Sequence, residues 1–181
     1  MIPTRKGPLF LVTGASCAGK STLCEVLFQK EKGYVVLESD LLWQERYNTP
    51  EDGYAAYRNL WMRICANVGQ VGLPVVLCGC ALPEQFETRE EREFFTQIHY
   101  LAVVCSGEEL EKCMDKRGVT DAGWRESSRQ FNRWLVENAA SCQPGIALLD
   151  TTGLTPEEGA EQAHRWIVER LAEESGASLA V

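Results

Sequence analysis

One segment constrains this chain more than any other: Leu9-Phe10-Leu11-Val12, followed by Thr13 and then Gly14-Ala15-Ser16-Cys17-Ala18-Gly19-Lys20-Ser21. A short apolar run of strand length ends in a glycine-bounded loop with G-x-x-x-x-G-K-[ST] spacing. A helical pattern follows to about Lys30, with Leu23, Val26 and Leu27 on one face. Strand, glycine loop and helix in that order open a βαβ unit. Such a unit needs a parallel sheet covered on both faces. The glycines let the backbone turn tightly, so that N–H groups converge on phosphate oxygens, and the helix adds its positive end. Lys20 supplies a mobile ammonium, and the Ser21 hydroxyl suits a hard cation that bridges phosphates.

The rest of the chain repeats the alternation. Strands are expected at Tyr34–Leu37, Pro74–Cys78, Tyr100–Cys105 and Ile146–Leu149, each a near-continuous apolar run. Helices are expected over about 52–71, 83–97, 106–116, 126–140 and 155–174, with a frayed tail from Ser175 to Val181. The fold class is therefore α/β: three αβα layers around a five-stranded parallel sheet. At 181 residues the chain is expected to form a single domain over 1–181.

Charge and cysteine content exclude other classes. The net charge of −8 argues against a nucleic-acid partner, because no basic field is available to displace phosphate counterions. The 8 cysteines include no C-x-x-C pair and stand beside only 2 histidines, which argues against zinc. They read as free thiols in a reducing compartment. Met1–Lys6 has no apolar stretch behind it, and no run is long enough to span a bilayer. The expected location is cytoplasmic, with no membrane partner. Cys17, inside the loop, is a candidate point of oxidation.

With this loop on the first of five strands, the sequence resembles the small P-loop kinases that act on nucleosides, nucleotides, shikimate and gluconate. The resemblance covers nearly the whole chain. It implies ATP on Gly14, Ala15, Ser16, Cys17, Ala18, Gly19, Lys20, Ser21 and Thr22, with Mg²⁺ on Ser21 and Asp40. It implies a short helical LID at about 117–133, whose Arg117, Arg125 and Arg129 join Lys20 in stabilising the transferring phosphoryl group. Arg117 at the LID start would also lie near the base, and Thr152, after the fifth strand, would pass it. Asp40, at the end of the second strand, would orient or deprotonate the acceptor hydroxyl; capping the next helix is the plainer role for it. One departure is that the third strand ends Cys78-Gly79-Cys80, with no acid.

The acceptor is expected between the second-strand end, the helix from residue 52 and the loop after the third strand. Asp40, Trp43, Arg58 and Gly79 are its candidate contacts. Trp43 would stack on a base, Arg58 would hold a phosphate or polar edge, and Gly79 would allow close approach. Tyr57 and Trp61 lie on the apolar helix face and read as core. The run Glu84–Glu93 reads as a solvated face. A nucleoside or nucleotide acceptor is favoured. Sugar acids, shikimate-like acids and antibiotics remain open, as does an ATP-binding regulatory module without catalysis. The oligomeric state, monomer or homodimer, is left open.

Overall fold

A computed structural model describes residues 6–30 and 33–178. Five strands form one parallel sheet: β1 (Leu9–Gly14), β2 (Val35–Glu38), β3 (Val75–Cys78), β4 (Ile98–Val104) and β5 (Ile146–Asp150), in the order β2-β3-β1-β4-β5. β1 is central, pairing Leu9 with Val75 of β3 on one side and with Ile98 of β4 on the other. The main helices are α1 (Lys20–Gln29), α2 (Ala55–Gly69), α4 (Gly107–Lys116), α5 (Ala122–Asn138) and α6 (Pro156–Ser178), with one short α3 (Glu84–Glu87).

Alternate residues of each strand face opposite helical layers. Leu9 and Leu11 join Trp61, Met62 and Leu135 on the face covered by α2 and α5. Phe10 and Val12 join Leu23, Leu27, Ala163 and Ile167 on the face covered by α1 and α6. That two-sided burial explains why the strands read as continuous apolar runs. Because every strand is parallel, all five carboxyl ends lie along one edge, the usual ligand edge of an open α/β sheet.

Four local expectations are corrected. The stretch 83–97 is not one helix: α3 ends at Glu87, and a separate 3-10 turn spans Glu90–Phe94. Thr88 Oγ1 donates to Glu84 O at 2.8 Å and Arg89 is extended, so the helical ladder stops there. Nor is Glu84–Glu93 wholly solvated, since Glu91 is buried and pairs with Arg63 of α2 at 3.0 Å. α5 starts four residues before the expected Glu126, because the Asp121 side chain accepts from Trp124 N at 2.6 Å and caps the helix. α6 continues past Glu174 to Ser178, and residues 179–181 lie outside the described set, as do Met1 to Arg5.

Candidate active site

The glycine loop emerges from β1 at the centre of the ligand edge. Cys17 (φ 66°) and Gly19 (φ 95°) sit in left-handed conformations, and this alternation turns successive N–H groups inward. α1 then begins without any side-chain cap, which leaves its first-turn N–H groups free for an anion. Gly14 is required by close packing: a Cβ there would overlap Val103 O and come within 3.3 Å of the Lys20 stem. Lys20 Nζ donates to Ala15 O at 2.7 Å, so its ammonium lies over the loop.

The loop after β3 is strapped to this cradle. Ala81 N donates to the buried Thr13 Oγ1 at 3.0 Å, and the Cys80 thiol donates to Gly14 O at 3.4 Å. Two cavities result. The first, about 290 Å³, borders Cys17, Gly19, Thr22, Glu109, Lys116, Thr151 and Pro156. The second, about 260 Å³, borders Asp40, Trp43, Tyr54, Tyr57, Arg58 and Cys80, and so meets the loop through Cys80.

Asp40 stands in a 3-10 turn, Ser39–Leu42, where the chain leaves β2. It does not cap this turn; among the described residues its Oδ1 accepts only a long bond from Ser39 Oγ at 3.4 Å. The plainer capping role is thus replaced by an exposed carboxylate bordering the second cavity. Trp43 meets Tyr57 edge-on at 5.1 Å and forms an aromatic wall with it. Arg58 is 7% exposed and donates to Gly53 O at 2.7 Å and Cys80 O at 3.2 Å. No carboxylate pairs with it among the described residues. Burial lowers its pKa, and the like charge of Arg89 adds to the effect. The space beside Gly79, which the sequence suggests for a substrate, is taken up by the Ser39 side chain.

The LID arginines have their own partners. Arg129 grips the Glu111 carboxylate through Nε and Nη2, and Arg125 joins it while also pairing with Asp115 at 2.8 Å. Together the guanidiniums, Arg129 first, hold Glu111 well below the usual carboxylate range, at about 2. On α4, Glu109, Cys113 and Lys116 recur at i, i+4 and i+7 and border the first cavity. Glu111 and Asp115 lie on a different face of that helix, toward α5. Arg117 is the exposed C-cap of α4, and Lys116, not Arg117, borders the cavity. Thr152 is engaged elsewhere: its hydroxyl accepts from Ser106 N at 2.8 Å and donates to Asp150 at 2.6 Å. Its neighbour Thr151 borders the cavity instead.

Sequence reasoning missed a further element. Asn132 of α5 is buried, accepts from Cys105 N at 3.3 Å and donates to Cys105 O at 2.8 Å. It anchors the end of β4 where Cys105 borders the first cavity. An asparagine between Phe131 and Arg133 is the only signal the sequence carries for it. No disulfide joins any of the eight cysteines, all of which lie in the described residues; Cys80 and Cys113 are exposed, and burial pushes the Cys105 thiol up to about 11. Among the described residues no group of three or more His, Cys, Asp or Glu is arranged to hold a metal. No described helix is long and apolar enough to cross a membrane.

The chain has the fold of the small P-loop kinases. Its structure is similar to a gluconokinase from Sinorhizobium meliloti 1021, with a TM-score of 0.63 at 19% identity over 96% of this chain and 99% of that one. It is similar to thymidylate kinase from Candida albicans, with a TM-score of 0.56 at 13% identity over 93% of each chain. A third likeness is to shikimate kinase from Acinetobacter baumannii in complex with shikimate, with a TM-score of 0.52 at 16% identity over 93% of this chain and 96% of that one. No protein-family model matches the chain, and no curated protein matches it in sequence.

Proposed function

We propose that the protein is a phosphotransferase that moves the γ-phosphate of ATP to a small metabolite bound beside Asp40. The observation carrying this reading is the phosphate loop with a cavity on either side, one bordered by Gly19 and Thr22, the other by Asp40 and reaching the loop through Cys80. The uncapped start of α1 and the left-handed Cys17 and Gly19 fit a triphosphate. Residues Gly14 to Thr22 would hold it, with Lys20 moving from Ala15 O onto the β- and γ-oxygens. The Ser21 hydroxyl and the Asp40 carboxylate are hard oxygen donors of the kind Mg²⁺ takes, the rest of its shell being left to water and phosphate. Ser21 and Asp40 would hold that ion, and when bound it supplies charge neutralisation across the phosphates.

Asp40 takes or orients the proton of the acceptor hydroxyl as it attacks. Arg125 and Arg129 reach the transferring group only after exchanging Glu111 for phosphate oxygens, a movement of the LID segment 117–133 within one domain. Arg117 is an exposed cation on that segment, available to the same group, while Lys116 and Thr151 flank the base with Thr152 behind them. Trp43, Tyr54 and Tyr57 favour a planar acceptor, and Arg58 favours one bearing an anionic group. Both properties meet in a nucleotide.

The test is ADP release measured against a panel of nucleosides, nucleoside monophosphates, sugar acids and aromatic hydroxy acids, with and without Mg²⁺. One class is expected to raise turnover above the water rate. Asp40→Asn is expected to abolish transfer while leaving ATP affinity near wild type. If no acceptor raises ADP release, the phosphotransfer reading fails.

A further inference from the structure

At the nucleotide-side cavity one side chain is turned away from its ordinary work. Ser106-Gly107-Glu108-Glu109 has the S-x-x-E spacing of a capping box, in which the glutamate reaches back to the serine N–H. Half of the box forms, since Ser106 Oγ accepts from Glu109 N at 3.2 Å. The other half does not, because Ser106 N donates to Thr152 Oγ1 at 2.8 Å. The Glu109 carboxylate is thereby released from α4, and its Oε1 accepts from Gly153 N, in the loop after β5, at 2.9 Å. Its second oxygen, Oε2, takes no bond among the described residues. No cation pairs with it there either, since Lys112, one turn on, pairs with Glu108 at 2.6 Å. Glu109 borders the cavity of about 290 Å³ together with Cys113, Thr151, Leu154 and Pro156, and the loop residues Cys17, Gly19 and Thr22 border the same space. A carboxylate in that wall repels phosphate, whereas the loop and the uncapped first turn of α1 attract it. The uncharged part of a nucleotide therefore falls to Glu109.

The geometry points to Glu109 as a specificity-determining residue for the phosphoryl donor, its Oε2 accepting from the exocyclic amino group of an adenine. A carboxylate only accepts, so it takes an N–H and repels a carbonyl oxygen. Adenine carries an amino group where hypoxanthine and guanine carry a carbonyl. The two ring-edge N–H groups of guanine pair best with both oxygens of a carboxylate in a fork, and Oε1 is already committed to Gly153. That same bond fixes the carboxylate, so little side-chain freedom is lost when the base arrives. A base that brings a second acceptor to Oε2 loses the bond and adds repulsion. The inference rests on the reading of this cavity as the nucleotide site, and it adds which base the site selects.

The experiment is titration calorimetry of the full-length protein with ATP, ITP and 2′-deoxy-ATP, each with Mg²⁺ and without acceptor, on wild type and on Glu109→Gln. Glutamine keeps the bond to Gly153 N through its oxygen and puts an NH₂ in place of Oε2. Wild type is expected to bind ATP about 10- to 100-fold tighter than ITP, the range that a hydrogen bond to a charged group covers. In Glu109→Gln that ratio is expected to fall to about one or to invert, while the ratio of ATP to 2′-deoxy-ATP holds. If the variant does not fold, Glu109→Ala is expected to bring the ATP-to-ITP ratio toward one. A wild type that binds ITP as tightly as ATP overturns the assignment. So does an ATP-to-ITP ratio unmoved by the variant, including the case where the 2′-deoxy ratio moves instead and puts Glu109 on the sugar. These results leave phosphotransfer standing wherever an acceptor raises ADP release, and binding of no nucleotide at all overturns both. A ratio that collapses in a protein no acceptor stimulates would keep Glu109 and remove phosphotransfer.

Discussion

Asn132→Leu offers the sharpest test of how the nucleotide-side cavity is held. The asparagine bridges α5 to the end of β4 through both polar groups of Cys105, at 3.3 Å and 2.8 Å, and it is 6% exposed. Leucine keeps the volume and removes both bonds, leaving the Cys105 N–H and C=O without side-chain partners in the interior. Each unsatisfied group costs about 1–3 kcal/mol. The apolar gain of leucine offsets about 1 kcal/mol, so a net loss of about 1–5 kcal/mol is expected. For a chain of this size that lowers Tm by roughly 2–20 °C. Thermal unfolding followed by circular dichroism measures it, with Asn138→Ala as control. Asn138 donates to Trp134 O from an exposed helix turn and should change Tm little. Affinity for a non-hydrolysable ATP analogue should fall with Asn132→Leu, because Cys105 borders the cavity. A Tm within about 2 °C of wild type would refute the argument, since it corresponds to less than about 1 kcal/mol.

Three further outcomes are expected. Gly14→Ala should lose about 1–3 kcal/mol of stability together with nucleotide binding, because the new Cβ meets Val103 O, a backbone atom that cannot swing away; calorimetry with the ATP analogue checks both. Arg58→Gln should raise KM roughly ten- to hundredfold for an anionic acceptor and much less for its neutral analogue, as a charged hydrogen bond of about 1.5–3 kcal/mol is lost. Glu111→Gln should lower Tm above about pH 5 and progressively less below it. The Glu111 carboxyl is depressed from 4.5 to about 2 in the folded state, so its stabilising effect is complete above the unfolded value and fades as pH falls toward the folded one. A Tm difference that stays constant from pH 7 to about pH 3 would remove Glu111 from that role.

Elements carried by continuous local signals were legible in the sequence. The five apolar runs became the five strands, and the G-x-x-x-x-G-K-S spacing became the turn before α1. Elements whose signal is one polar side chain were not. The Asp121 cap that starts α5 and the Thr88 bond that accompanies the end of α3 each depend on one hydrogen bond that periodicity does not register. Glu91, inside an acidic run, is buried because Arg63 of another helix stands opposite it. Only packing brings those two together.

The sequence by itself determined that this chain forms a parallel sheet with a phosphate-binding loop on one strand, because local backbone chemistry and apolar periodicity suffice for both. Only the tertiary structure decided which side chains surround that loop. It set Lys116 rather than Arg117 against the nucleotide-side cavity, tied Arg125 and Arg129 to Glu111, and buried Arg58 beside the acceptor cavity with no carboxylate partner among the described residues. These outcomes depend on which face of a helix meets which neighbour, and that is settled by long-range packing and by competition among charges far apart in the chain.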